Sequence, residues 1–236
     1  MAFSNNNFSG QTTTPVTLNL IIINALVMVA DAVLERKGIY LNDLLGLHYY
    51  DAPDYHIWQS VTYMFCHAGF NHIFCNMLSL YMFGRLMEQV WGAQRFLVYY
   101  LVCGVGAAVT QQVAWRYGIM ADWLHEVQLQ DPEFTYGQLV QEAGSQLNRL
   151  VTVGASGSVF GILLAFGMMF PNATIFLLFP PMPLKAKWLV IGYGLFELFF
   201  GVAGIGSGVA HFAHLGGMLF GFLLILLWRH DRKINF

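Results

Sequence analysis

The chain has 236 residues, 57% of them hydrophobic and 10% charged, against roughly 25% charged in an ordinary soluble domain. So few charges cannot cover the surface of a water-soluble globule of this size, and a mean hydropathy of +0.55 points to lipid as the surrounding solvent. The net charge of -2 excludes the basic footprint of a nucleic-acid partner.

Residues 1–15 are polar and uncharged. They lack the basic region that precedes the apolar core of a cleaved signal, so the run from Val16 is expected to be a retained first span, shortened by Asp31. Stretches without Asp, Glu, Lys or Arg then recur at the length of about 20 residues that crosses a hydrocarbon core. They predict helices at 14–34, 65–84, 96–115, 150–170, 187–204 and 209–228. The expected fold is all-α, a bundle of six transmembrane helices forming one membrane domain over 1–236. Cys66, Cys75 and Cys103 fall inside apolar runs with no metal-ligand spacing and read as packing residues.

Between the third and fourth spans, residues 116–149 hold five acids together with Trp123, Phe134 and Tyr136. Such a segment is either amphipathic and lies at headgroup level or is a solvated acidic insertion. The fourth span ends at Pro171, and Pro180, Pro181 and Pro183 with Lys185 and Lys187 read as a turn-rich loop. Six spans put both termini on one side. That side carries seven Lys and Arg (Arg85, Arg95, Lys185, Lys187, Arg229, Arg232, Lys233) against four on the other (Arg36, Lys37, Arg116, Arg149). The termini are therefore expected to be cytoplasmic, with a bacterial plasma membrane as the expected home.

Three polar groupings interrupt the apolar pattern. His72 and Asn76 stand at i and i+4 and project from one helix face; two such donors aimed at one point stabilise negative charge in a dry site, or else serve as interhelical glue. Gly154-Ala155-Ser156-Gly157 opens the fourth span, where free backbone N–H groups surround a serine hydroxyl. His214 lies in Ala213-His214-Leu215-Gly216-Gly217 near the start of the sixth span, with His211 one turn earlier as a competitor for the same role. An imidazole in a membrane helix needs a partner.

Counted from the expected span ends, Ser156, His72 and His214 each lie about five to seven residues inside, roughly 8–11 Å below the outer surface. Independent packing polars have no reason to share a level. Gly157 with Gly161, and Gly217 with Gly221, repeat the spacing that lets helices approach closely, which would bring serine to histidine within the 2.6–3.2 Å or so needed for general-base activation. Glu197, an acid in the fifth span, has no assignable role at this level. No His-Glu-x-x-His occurs, and nothing implies a metal or other cofactor.

Jointly, His72-x-x-x-Asn76, Gly154-Ala155-Ser156-Gly157 and Ala213-His214-Leu215-Gly216-Gly217 resemble, in order and in placement on the second, fourth and sixth helices, the rhomboid family of intramembrane serine proteases. The resemblance implies a catalytic dyad in which Ser156 attacks a peptide carbonyl and His214 takes its proton, with the oxyanion held by His72, Asn76 and the Ser156 backbone. It implies that Phe160 packs on the His214 ring, that Glu88 is a structural acid, and that the substrates are transmembrane proteins cut beside small residues. One departure is Trp58-Gln59, where many members carry Trp-Arg and use the arginine to anchor the first loop. The acidic insertion is also longer than in compact bacterial members. Two other classes compete: a non-catalytic rhomboid-like binder of membrane clients, and a small transporter with histidines along a polar path, for which Glu197 is the best feature.

Overall fold

The structure, a computed structural model, describes residues 13–176, 182–204 and 210–230. It is built mainly of helices: α1 (Pro15–Glu35), the short α2 (Leu41–Leu45) and α3 (Gln59–Thr62), α4 (Phe70–Ser79) continued through a π-helical turn at Leu80–Gly84 into α5 (Arg85–Trp91), and α6 (Ala93–Tyr117). Then come α7 (Ile119–Gln128), α8 (Tyr136–Ala143), α9 (Ser156–Met169), α10 (Ala186–Ala203) and α11 (His211–His230). Each expected span overlaps a helix, though not with the same bounds. Four helical stretches, Pro15–Glu35, Ala93–Gln128, Ala186–Ala203 and His211–His230, are long and apolar enough to cross a membrane. The protein is an integral membrane protein. Its outer face is correspondingly apolar, with Leu26, Phe199, Val202 and Leu227 exposed, as lipid contact permits and water does not.

The second and fourth expected spans take a different form. The second begins at Phe70 rather than 65 and runs on to Trp91, past Arg85 and Glu88. It can carry Glu88 inside the protein because that carboxylate caps a neighbour: it accepts from the backbone N–H of Val16 (2.9 Å) and Thr17 (2.8 Å) and from the Thr17 hydroxyl (2.6 Å). A buried acid thus stands at the positive end of α1, beside Pro15, which needs no N–H partner. The fourth is the 14-residue α9, starting only at Ser156 because Gly154 holds φ +128 and breaks any earlier helix.

Two short antiparallel ribbons brace the ends. β1 (Leu47–His48) pairs with β2 (Val151–Thr152), which ties the first loop to the strand leading into α9; β3 (Thr174–Phe176) pairs with β4 (Pro183–Lys185) between α9 and α10. The acidic segment folds back as α7 and α8, placing Phe134, Leu139 and Leu147 in the core. Tyr136 hydrogen-bonds Asp51 and the Tyr49 hydroxyl, while Arg116 stacks 3.8 Å from the Tyr136 ring centroid. It is therefore a packed cap over the first loop and not a solvated insertion.

The first loop is anchored although it lacks the arginine. Gln59 is wholly buried: its Oε1 accepts from the backbone N–H of His48 (3.3 Å) and His56 (3.1 Å), and its Nε2 donates to Leu44 O (3.3 Å) and Asp54 O (2.9 Å). One neutral amide satisfies both ends of the loop. It needs no counter-ion to do so.

At the centre, α9 is enclosed by α6 and α11. The approach is set by glycine: a Cβ on Gly217 would lie 1.9 Å from the Gly157 carbonyl oxygen, and one on Gly161 would lie 2.4 Å from Cys103 Sγ and 2.9 Å from Gly217 O. Both glycine pairs read from the spacing are thus points of close contact. Hydroxyls on neighbouring elements stitch the same layer, Tyr63 Oη donating to Gly104 O (2.7 Å) and Tyr99 Oη to Gly161 O (2.8 Å).

Candidate active site

Each predicted site residue sits in the first or second turn of its helix. His72 is the third residue of α4, Ser156 the first of α9 and His214 the fourth of α11. The expected depth of five to seven residues inside each helix is replaced by helix starts, because the segments before α4 and α9 are non-helical. Ser156 at the first position of α9 leaves its own N–H and that of Gly157 without intrahelical partners. A helix N-terminus of this kind favours developing negative charge.

The close packing of α9 on α11 puts His214 Nε2 2.8 Å from Ser156 Oγ. Phe160, one turn after the serine, lies flat on the imidazole at 4.3 Å between ring centroids and 5° between planes. That stack fixes the ring plane while leaving both nitrogens at the edge. On its other side Phe160 meets Tyr193 of α10 edge-on, at 5.8 Å.

His72 approaches from α4. A Cβ on Gly154 would meet its Cε1 and Nε2 at 2.7 Å and Ser156 Oγ at 3.6 Å, so the glycine is the only residue type that lets this ring and the serine flank one backbone position. Nδ1 of His72 accepts from the Ala68 N–H at 3.4 Å, which leaves Nε2 as the donor toward the cleft. Asn76 is buried, and its Nδ2 donates to the His72 carbonyl oxygen at 3.0 Å. One of its two amide hydrogens is therefore spent on its own helix, and one remains.

His211 is not the serine's partner. It turns to α10 instead, its Nδ1 lying 2.6 Å from Glu197 Oε2. His214 Nδ1 faces the same oxygen at 3.1 Å and has no hydrogen-bond partner among the described residues. Glu197 is thus a residue whose place the sequence could not supply. The signal was present as an acid in a membrane helix, which needs a partner, but its partners lie 14 and 17 residues further along the chain, beyond residues 205–209, which fall outside the described part.

A model of the rhomboid domain matches residues 54–230 of the chain. RHOMBOID-like protein 12, mitochondrial, of Arabidopsis thaliana is 29% identical over 94% of this chain and 60% of its own length. Rhomboid-like protein 11, chloroplastic, of the same plant is 28% identical over 88% of this chain and 63% of its own length. RHOMBOID-like protein 1, again from Arabidopsis thaliana, is 28% identical over 85% of this chain and 40% of its length. The chain spans about 60% of the length of the first two relatives.

Proposed function

We propose that this chain, which belongs to the rhomboid family, is an intramembrane serine endopeptidase that hydrolyses peptide bonds in or beside the transmembrane segments of other membrane proteins. The observation that carries the reading is the 2.8 Å contact between Ser156 Oγ and His214 Nε2, the distance at which an imidazole takes the hydroxyl proton as the oxygen attacks a carbonyl. His72 Nε2, the remaining Asn76 amide hydrogen and the Ser156 N–H are the donors assigned to the oxyanion. After the amine leaves with the proton from His214, water repeats the sequence and releases the acid.

The bundle is read as six spans, with α9 the short central one, termini cytoplasmic and the cleft open to the outer face. A transmembrane helix cannot be cut as a helix, because its carbonyls are engaged and shielded, so the substrate must unwind locally before it reaches Ser156. Its route is assigned to α10. Of that helix's 18 residues just Ala186, Leu189, Val190 and Glu197 are buried, which makes it a lightly attached wall, and Gly204 ends it in the left-handed conformation at φ 64.

The test uses the purified chain in detergent with a reporter transmembrane substrate. Wild type is expected to cleave, and Ser156→Ala and His214→Ala to be silent, with His211→Ala retaining turnover. Cleavage that survives Ser156→Ala defeats the assignment.

A further inference from the structure

We infer that Glu197 is a positioning residue for the base, so that the site works as a serine, histidine and carboxylate relay completed by the helix that walls it. The inference rests on the protease reading and adds the partner of the second imidazole nitrogen. Three observations carry it. Glu197 is 4% exposed in a helix most of whose other residues are not buried, and a carboxylate is not left there without work for it to do. Its Oε2 lies 3.1 Å from His214 Nδ1, opposite the nitrogen that faces Ser156. That Nδ1 is buried and, among the described residues, has no hydrogen-bond partner elsewhere.

Chemistry supplies the reason. For Nε2 to accept the serine proton it must be the unprotonated nitrogen, which requires the hydrogen on Nδ1, and a carboxylate facing Nδ1 favours that tautomer. As Ser156 Oγ bonds to the carbonyl carbon, its proton moves to Nε2 and the ring becomes a cation with N–H groups on both sides. Glu197 remains a carboxylate and faces the new charge. When the carbon–nitrogen bond breaks, Nε2 returns the proton to the amine. No further reactant is needed.

Among the described residues, the polar groups that face His214 are Ser156 from α9, Glu197 from α10, His211 from its own helix, and His72 from α4 on the far side of Gly154. His211 takes the shorter bond to the same Oε2, 2.6 Å. It therefore holds the carboxylate in place. Tyr193, one turn before Glu197, presses on Phe160, which in turn stacks on His214. Two residues on one face of α10 thus set both the edge and the plane of the imidazole. A movement of α10 that admits substrate takes both away, and its return restores a correctly oriented base.

The test compares wild type with Glu197→Gln and Glu197→Asp in the full chain, measuring kcat and KM on the reporter substrate, the rate of Ser156 modification by a fluorophosphonate, and the melting temperature. Gln keeps size and loses charge, so kcat and the modification rate are expected to fall on the order of 10- to 100-fold, with KM within about twofold. Asp keeps the charge on a shorter stem and is expected to recover part of that loss. Wild-type kcat in Glu197→Gln overturns the inference. So does an equal loss in both variants with a lowered melting temperature and raised KM, since that marks a latch between helices and nothing more. Failure of the protease reading looks different: the wild type itself neither cleaves nor reacts with the fluorophosphonate, and both conclusions fall together.

Discussion

Replacing Gly217 by alanine puts a methyl group 1.9 Å from the carbonyl oxygen of Gly157, where ordinary carbon–oxygen contacts begin near ~3.3 Å. The oxygen belongs to helix backbone and cannot swing aside, so α9 and α11 must part by the difference, roughly 1.4 Å. Half of that displacement at the candidate site carries the 2.8 Å serine–histidine pair to about 3.5 Å, beyond the range for proton transfer. Overpacking of this kind costs about 1–3 kcal/mol of stability, while a mispositioned base forfeits its contribution of roughly 10²–10⁴ in rate. Gly217→Ala is therefore expected to remain folded and to lose at least ~100-fold in kcat. Initial rates on a reporter substrate in detergent micelles, beside thermal unfolding followed by tryptophan fluorescence, measure both. Gly192→Ala is the control, since a Cβ there meets nothing within 4 Å and should leave rate and stability unchanged. A Gly217→Ala protein that cleaves within twofold of wild type refutes the claim that backbone contact sets the serine–histidine distance.

Three other perturbations follow from the same geometry. Gly154→Ala drives a methyl into the His72 ring at 2.7 Å and forces alanine to φ +128, a strain of about 1–3 kcal/mol; turnover should fall well below that of the Gly192→Ala control in the same kinetic assay. Gln59→Ala removes four hydrogen bonds inside the first loop, a loss on the order of 2–4 kcal/mol. The expected sign is faster limited proteolysis between residues 44 and 58, and unchanged protease resistance would count against the anchoring role. Glu88→Ala leaves the Val16 and Thr17 N–H groups unmatched, so resistance to unfolding by dodecyl sulfate should drop by about 2 kcal/mol, whereas Glu35→Gln on the exposed end of α1 should not alter it.

Much of the candidate site is legible in the chain. Ser156, His214, His72 and Asn76 announce themselves because polar side chains are costly in lipid and stand out against an apolar background. The glycine spacings mark points of close approach, Gly217 against Gly157 and Gly161 between α9 and α11, and Gly221 against Tyr99 and Cys103 of α6. Span boundaries are less legible. The rule that charge ends a membrane helix fails at Glu88, whose charge is matched by the N-terminus of a helix 71 residues earlier, and it places α9 six residues too early because φ at Gly154 depends on what packs there.

What the residues determine by themselves is solvent and inventory: a lipid-embedded helical chain carrying a hydroxyl, imidazoles and amides, because hydrophobicity and periodicity are local properties. What only tertiary structure decided is pairing. Which of two histidines meets Ser156, where Glu197 finds its partners, and how Gln59 replaces a cation are all settled by groups distant in sequence. A hydrogen bond of about 3 Å has a direction, and that direction exists only after the helices have closed on one another.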